Sequence, residues 1–248
     1  MKFTKMQGLG NDFVVLDSSV EVTDELVRAL CDRHFGVGAD GVLTIGSADG
    51  VVTMGYWNAD GSEAEMCGNG LRCIALMAVD RGLADVGAFR VATPAGDRRV
   101  EVGSEIRVDL GMPAVGDMTE IGGRFFRNVD IGNPHAVLEV DDVSSAPVSE
   151  VGPAVQSSFR AGANVEFIRI DGDRVEMRVW ERGVGETLAC GSGIVAGAAV
   201  ARRNGGGDHI FVTMPGGTAR VDFEDGGAWL VGPATYVYEG VWPGGPRP

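Results

Sequence analysis

The feature that most restricts this chain is that it is written twice. Sliding the sequence by the separation of Cys67 and Cys190 (190 − 67 = 123) lays "VVTMGYWNADGSEAEMCGNG" (51–70) on "RVEMRVWERGVGETLACGSG" (174–193). Trp57 then meets Trp180, and Asn58 meets Glu181. Upstream, "GADGVLTI" (38–45) lies near "GANVEFIRI" (162–170), and "KFTKMQGLGNDFVVLD" resembles "RFFRNVDIGNPHAVLEV" with Asn11 against Asn133. Downstream, "RVATPAGDRRVEV" (90–102) resembles "IFVTMPGGTARVDF" (210–223). Matches in one order at a nearly constant offset are the mark of an internal duplication. They predict two halves of one plan, 1–112 and 113–235, with a strand in the tail 236–248 returning to the first half.

Within the first half, "KFTKM" and "FVVLD" read as strands. Residues 23–36 read as a helix capped by Thr23, with Leu26, Leu30 and Cys31 at helical spacing and Gly36 as its stop. "VLTIG" and "VVTMGYWNAD" read as strands around the turn "SADG". The segment from Cys67 to about Val79 is apolar on nearly every side, and so is its twin Ile194–Ala201, followed by Arg202, Arg203, Asn204 and Gly205. A helix apolar all round is a buried helix, and cations followed by glycine suit its C-terminus. The expected fold is therefore α/β of the α+β type, each half wrapping strands around one central helix. "GVGADG" (36–41) fits a dinucleotide fingerprint in letters only: a helix precedes it and a strand follows, the reverse of what such a site needs.

Composition narrows the chemistry. A net charge of −14 and a pI near 4.6 disfavour nucleic acid and anionic membranes as partners. No apolar run approaches the ~20 residues of a membrane span, and the N-terminus lacks a signal-peptide layout, so a cytoplasmic location is expected. The only lysines are Lys2 and Lys5, both in the first expected strand, which argues against a pyridoxal Schiff base. The four cysteines, Cys31, Cys67, Cys73 and Cys190, have no CxxC spacing, and there are three histidines, so a zinc site is not expected. Cys31 and Cys73 read as small buried hydrophobes.

Cys67 and Cys190 differ from those two because each stands at a helix mouth. A helix N-terminus carries unpaired N–H groups and partial positive charge, which favour a thiolate and bind carboxylates. Gly68 and Gly191 let a ligand approach the backbone closely. Two such mouths, turned on one substrate by pseudo-symmetry, would hold a carboxylate from both sides. One thiolate would take the adjacent α-proton, and the opposite thiol would give one back. That is a two-base racemase or epimerase working without a cofactor or metal. A cysteine–histidine hydrolase, a Cys67–Cys190 redox or binding protein, and two structural cysteines remain as alternatives, each leaving part of the pattern unexplained.

The segments "GNDFVVLD", "NADGSEAEMCGNGLRC", "GNPHAV", "NVEFI", "ERGVGETLACGSG" and "GPATYVY" resemble the diaminopimelate epimerase family over essentially the whole chain. The resemblance implies two similar halves, each a mainly antiparallel sheet rolled around a central helix. It implies pyridoxal-independent interconversion of LL- and meso-diaminopimelate, in lysine and cell-wall precursor synthesis, by what is usually a homodimer. It makes Cys67 and Cys190 the acid–base pair. Gly68, Asn69, Gly191 and Ser192 would bind carboxylate, and Asn11, Asn58, Asn133, Asn164, Glu181 and Arg182 the rest of the substrate. His135 and Glu181 would tune the thiols. The chain departs from many relatives in carrying Gly41 in place of glutamine and Ala136 in place of cysteine.

Overall fold

The computed structural model describes residues 1–64 and 66–244. The chain is α+β and divides into two compact units, Met1–Val108 with Pro233–Pro248, and Asp109–Gly232. The first unit contains β1 (Lys2–Gly8), β2 (Asn11–Asp17), α1 (Asp24–Cys31), β3 (Gly41–Ala48), β4 (Val51–Asn58), α2 (Gly68–Asp80), β5 (Gly87–Thr93), β6 (Gly96–Val102) and β7 (Ile106–Asp109). The second contains β8 (Ala114–Ile121), β9 (Arg124–Asp130), β10 (Pro134–Glu139), α3 (Val148–Ser158), β11 (Asn164–Asp171), β12 (Arg174–Glu181), β13 (Gly185–Thr187), α4 (Gly191–Arg203), β14 (His209–Met214), β15 (Gly217–Glu224) and β16 (Gly227–Val231). The last strand, β17 (Thr235–Val241), runs antiparallel beside β1. Of the tail expected to return to the first half, residues 245–248 lie outside the described ones.

The two units repeat one pairing scheme. In the first, β1/β2 is antiparallel, β2/β3 parallel, β3/β4 antiparallel, β4/β5 parallel and β5/β6 antiparallel. In the second, β9/β10, β10/β11, β11/β12, β12/β14 and β14/β15 run through the same sequence. β17 stands to β1 as β8 stands to β9, antiparallel in both cases. Most pairings in each unit are thus antiparallel, with two parallel crossovers.

Each unit sets two helices against its strands, for a reason visible in the residues. α2 buries every residue from Gly68 to Ala75, and α4 buries Gly191 and then Gly193 through Ala201, because small and apolar side chains surround both helices. α2 packs on β1, β3, β4 and β6, and α4 on β9 to β12 and β14 to β16. α1 and α3 are instead one-sided. α1 joins Val27 and Leu30 to Phe3, Val14, Leu16 and Val42, and α3 joins Val148 and Val155 to Phe126, Leu138, Val165 and Phe167.

Two local expectations are corrected. The helix begins where expected, with Thr23 accepting from the Leu26 N–H, but it stops at Cys31 rather than near Gly36. Asp32 ends it: its Oδ1 accepts from the N–H groups of both His34 and Phe35, offering the backbone a tighter turn. The second is α3, which sequence inspection did not mark. Pro153 lies inside it, and Gly152 is there because a Cβ would stand 2.5 Å from the Trp180 ring. "GVGADG" forms the connection from α1 to β3, with Gly38 at φ +77° and its carbonyl accepting from Lys5.

Candidate active site

In each unit a cysteine is the N-cap of the thirteen-residue buried helix. Cys67 (φ −139°, ψ 118°) and Cys190 (φ −124°, ψ 114°) have the same extended cap conformation. The N–H of Gly70 donates to Cys67 Sγ, and that of Gly193 to Cys190 Sγ, both at 3.4 Å. Helix hydrogen bonding starts only afterwards, from Leu71 N–H to the Cys67 carbonyl and from Ile194 N–H to the Cys190 carbonyl. Sulfur therefore sits among the amides of a helix mouth, where Ser, Thr, Asp or Asn would ordinarily stand. Cys31 and Cys73 are buried elsewhere, and burial pushes both thiols up to about 12.

The first unit brings Asn11, Cys67, Gly68 and Asn69 together. Cys67 Sγ donates to Asn11 Oδ1 at 3.6 Å, and Asn69 Nδ2 donates to the same oxygen at 3.2 Å. Asn11 Nδ2 donates in turn to Asp40 at 2.9 Å. Arg72, a residue the sequence reading passed over, donates to Asn69 Oδ1 at 2.8 Å, to Pro233 O at 3.2 Å and to Gly68 O at 3.5 Å. A guanidinium only donates and a carboxylate only accepts, so Arg72 and Asp40 fix both asparagine amides from the two ends of the chain. Arg72 is fully buried and makes no ion pair among the described residues. Burial brings its pKa down to about 10, with the charges of Cys73 and Cys67 acting the other way. Asn58 stands apart from this chain: its Nδ2 donates to Ser62 Oγ at 3.0 Å, across the turn after β4.

The second unit brings Asn133, His135, Asn164 and the backbone of Arg182 together. His135 Nε2 lies 3.2 Å from Asn133 Oδ1 and 3.5 Å from Asn164 Nδ2. The Arg182 N–H donates to Asn164 Oδ1 at 2.8 Å, which turns the amide NH2 of Asn164 toward the ring. The Arg182 side chain is exposed and donates to Ala161 O at 3.1 Å. Glu181 accepts from Thr187 Oγ1. Ser192 Oγ is 3.6 Å from Cys190 Sγ. Glu166, which the sequence reading also missed, lies with its Oε1 2.6 Å from His135 Nδ1, both side chains being fully buried. The Cys190 thiol is pushed well above its usual range, first by burial and then by the charges of Glu181 and Glu166, against weaker help from Ser192 and the Gly193 N–H.

Both missed residues left a signal. Arg72 is the one cation in "GLRCIALMAV", and Glu166 the one anion in "NVEFI". A charge inside an apolar run that must be buried is costly unless something holds it. Among the described residues, no group of three or more His, Cys, Asp or Glu is placed to hold a metal ion, and no helix is long and apolar enough to cross a membrane.

The sequence pattern of one family, described as diaminopimelate epimerase, matches residues 3–115 and 127–237. An O-ureido-serine racemase of Streptomyces lavendulae is 45% identical, over 98% of this chain and 95% of its own. A diaminopimelate epimerase of Xylella fastidiosa (strain M23) is 42% identical, over 98% of this chain and 97% of its own. A solved structure of a phenazine biosynthesis protein of the PhzF family, from Bacillus anthracis, superposes with a TM-score of 0.76 over 96% of this chain and 97% of that one. At 18% identity it speaks for the fold alone.

Proposed function

The chain belongs to the diaminopimelate epimerase family, a group of pyridoxal-independent isomerases, and on that premise we propose that it interconverts LL- and meso-diaminopimelate through Cys67 and Cys190. The observation that carries this reading is the doubled mouth: the same thiol, as the same N-cap, on two corresponding buried helices. One cysteine, as thiolate, removes the α-proton and becomes a thiol. The other, as thiol, delivers its proton to the opposite face of the α-carbon and becomes the thiolate. Charge that builds on the substrate carboxylate is met by the amides of Gly68, Asn69, Gly191 and Ser192, which are already oriented before the reaction starts.

The remaining polar residues suit a substrate with a second amino-acid centre. Arg182 offers a carboxylate a two-pronged donor, Glu181 offers an ammonium an acceptor, and Asn11, Asn58, Asn133 and Asn164 offer amides of both kinds. Glu181, whose charge raises the Cys190 thiol, and His135, paired with Glu166, would adjust the thiols. Lys5, one of two lysines in the chain, is held by Asp12 at 2.6 Å and is 5% exposed, which ill suits a Schiff base. The biological setting we infer is cytoplasmic lysine and peptidoglycan precursor synthesis, with the chain acting as a homodimer.

A second reading has its own support. The racemase from Streptomyces lavendulae matches at 45%, and position 41 carries no side chain to contribute to a pocket. Nor is there space for one: a Cβ on Gly41 would stand 2.6 Å from the Trp57 carbonyl oxygen and 2.8 Å from the Tyr56 ring. The same two-thiol chemistry would then act on another α-amino acid. Proton NMR of the reduced protein in deuterated water, with LL-diaminopimelate and O-ureido-serine supplied separately, tests both. Loss of the α-proton signal with growth of the meso isomer is expected. Exchange with O-ureido-serine alone would replace the substrate and keep the mechanism. No exchange with either would sink the epimerase reading for these substrates.

A further inference from the structure

Glu166 is the buried group for which the mechanism above finds no use. It sits on β11 among Val165 and Phe167 with no solvent exposure. Its Oε1 is 2.9 Å from the point a Cβ on Gly193 would occupy, and Cys190 Sγ is 3.4 Å from that same point. Its Oε2 has no hydrogen-bond partner among the described residues. A carboxylate in this position is unscreened by water and raises the cost of a second negative charge beside it. It also accepts only, so His135 must carry a hydrogen on Nδ1, which leaves Nε2 of the neutral ring to accept from the Asn164 NH2, while Asn133 Oδ1 beside it is another acceptor.

We propose that Glu166 is a positioning residue that keeps Cys190 as the protonated member of the cysteine pair, acting through its own charge at the first turn of α4 and through the His135 ring. The inference rests on the two-cysteine reading. Among the described residues the charged groups that act on Cys190 are Glu181 from β12 and Glu166 from β11, and His135 from β10 reaches it only through Glu166. Ser192 and the Gly193 N–H, on α4 itself, oppose the two carboxylates. The corresponding place under α2 (166 − 123 = 43) is Leu43, whose Cδ2 stands 3.1 Å from a Cβ on Gly70. Leu43 carries no charge, so what Glu166 does to Cys190 has no counterpart at that position of the first unit.

The test is modification of both thiols by methyl methanethiosulfonate, followed peptide by peptide by mass spectrometry across about pH 6 to 10. In the unaltered protein the Cys190 profile is expected at higher pH than the Cys67 profile; the reverse order overturns the inference. Glu166→Gln removes the charge and keeps an acceptor for Nδ1–H. It is expected to move the Cys190 profile to lower pH, with roughly tenfold more modification at a fixed pH below the midpoint, and to leave Cys67 unmoved. An unmoved Cys190 profile overturns the inference, as does an equal shift of both thiols, which a merely loosened fold would give. His135→Gln serves as the second variant. It leaves Glu166 without its ring partner and is expected to move Cys190 the opposite way; a shift to lower pH counts against the inference. No turnover is needed for this readout. A shifted profile without α-proton exchange would keep the influence of Glu166 and sink the two-base reading, and exchange with an unmoved profile would do the reverse.

Discussion

The two helix mouths share a backbone and differ in what lies beneath it. Both are capped by cysteine, both send the third helical N–H to sulfur at 3.4 Å, and both helices run thirteen residues. Under Cys67 the strands present Phe13 and Leu43, and the polar load is carried by Arg72 through Asn69 and Asn11. The residues that match these two by the repeat offsets are His135 and Glu166; His135 stands opposite Asn164 and Glu166 opposite Val137, as Phe13 stands opposite Gly41 and Leu43 opposite Val15. At the place of Arg72 (72 + 123 = 195) stands Val195. Duplication supplies two equal amide nests for sulfur, and a handful of buried side chains then give them unequal charge. A reaction that removes a proton on one face and adds one on the other requires that kind of inequality at each instant.

The largest effect expected comes from removing either thiol. Cys67→Ala and Cys190→Ala should each lower epimerisation by roughly 10²–10⁴-fold, the range for a positioned acid or base. The double variant should fall little further, as expected of two groups proposed to act as a unit. Solvent deuterium exchange at the substrate α-carbon is the measurement. A single variant with near-normal turnover would break the pairing of the two mouths.

Next comes stability, and here only the first mouth should suffer. Arg72→Val gives α2 the residue that α4 carries, but it removes the guanidinium that donates to Asn69 Oδ1 and Pro233 O. Hydrogen bonds from a charged donor contribute about 1.5–3 kcal/mol. The urea midpoint should fall accordingly, while Val195→Ala in the second unit should show the smaller loss of a trimmed apolar side chain. Equal losses in the two would mean that Arg72 is not bearing the asparagine chain.

Much of this was legible in advance. The repeat showed itself in the letters because both halves must place a glycine-opened helix against the same strands, and the cysteines mark both helix starts to the residue. The helix α3 was hidden because Gly152 and Pro153 read as breakers, although shifting α1 by the repeat offset falls on it (24 + 123 = 147). Trp180 explains the glycine, and no sequence rule reveals a ring lying across a helix. Glu166 and Arg72 escaped for another reason. Glu166 is held by His135, 31 residues away, and Arg72 by Pro233 as well as by Asn69 in its own helix, so a lone charge in an apolar run gave warning without saying what would hold it.

A smaller effect compares the glycines at the third helical position. Gly70→Ala would meet Leu43 methyls at 3.1 and 3.3 Å, which can give way by a few tenths of an ångström. Gly193→Ala would meet Glu166 Oε1 at 2.9 Å, and that oxygen is fixed by His135. An alanine in a helix otherwise gains about 0.4–1 kcal/mol over glycine. Gly70→Ala should therefore be near neutral in melting temperature, and Gly193→Ala destabilising, with turnover reduced a few-fold. If Gly193→Ala is as mild as Gly70→Ala, the carboxylate is not held where its bond to His135 puts it.

The last comparison turns on pH. Asp12 in the first unit is partly buried, which would raise its pKa. Hydrogen bonds and charge from Arg33 and Lys5 outweigh burial and hold it below the usual carboxylate range. A carboxylate whose folded pKa is depressed contributes stability above its unfolded pKa, near 4, and loses it as pH falls through the lower folded value. Asp12→Asn should thus cost about 1–3 kcal/mol at neutral pH, the range for hydrogen bonds to charged groups, and progressively less in acid. The residue matching Asp12 in the register shared by Asn11 and Asn133 (12 + 122 = 134) is Pro134, which has no charge to lose. Asp222 offers the fairer control, since Arg220 and His209 likewise hold it low against burial in the second unit. Urea titrations of Asp12→Asn and Asp222→Asn at neutral and acid pH should lose their penalties over the same acid range. A penalty for Asp12→Asn that persists in acid would mean that its contacts act through packing rather than charge.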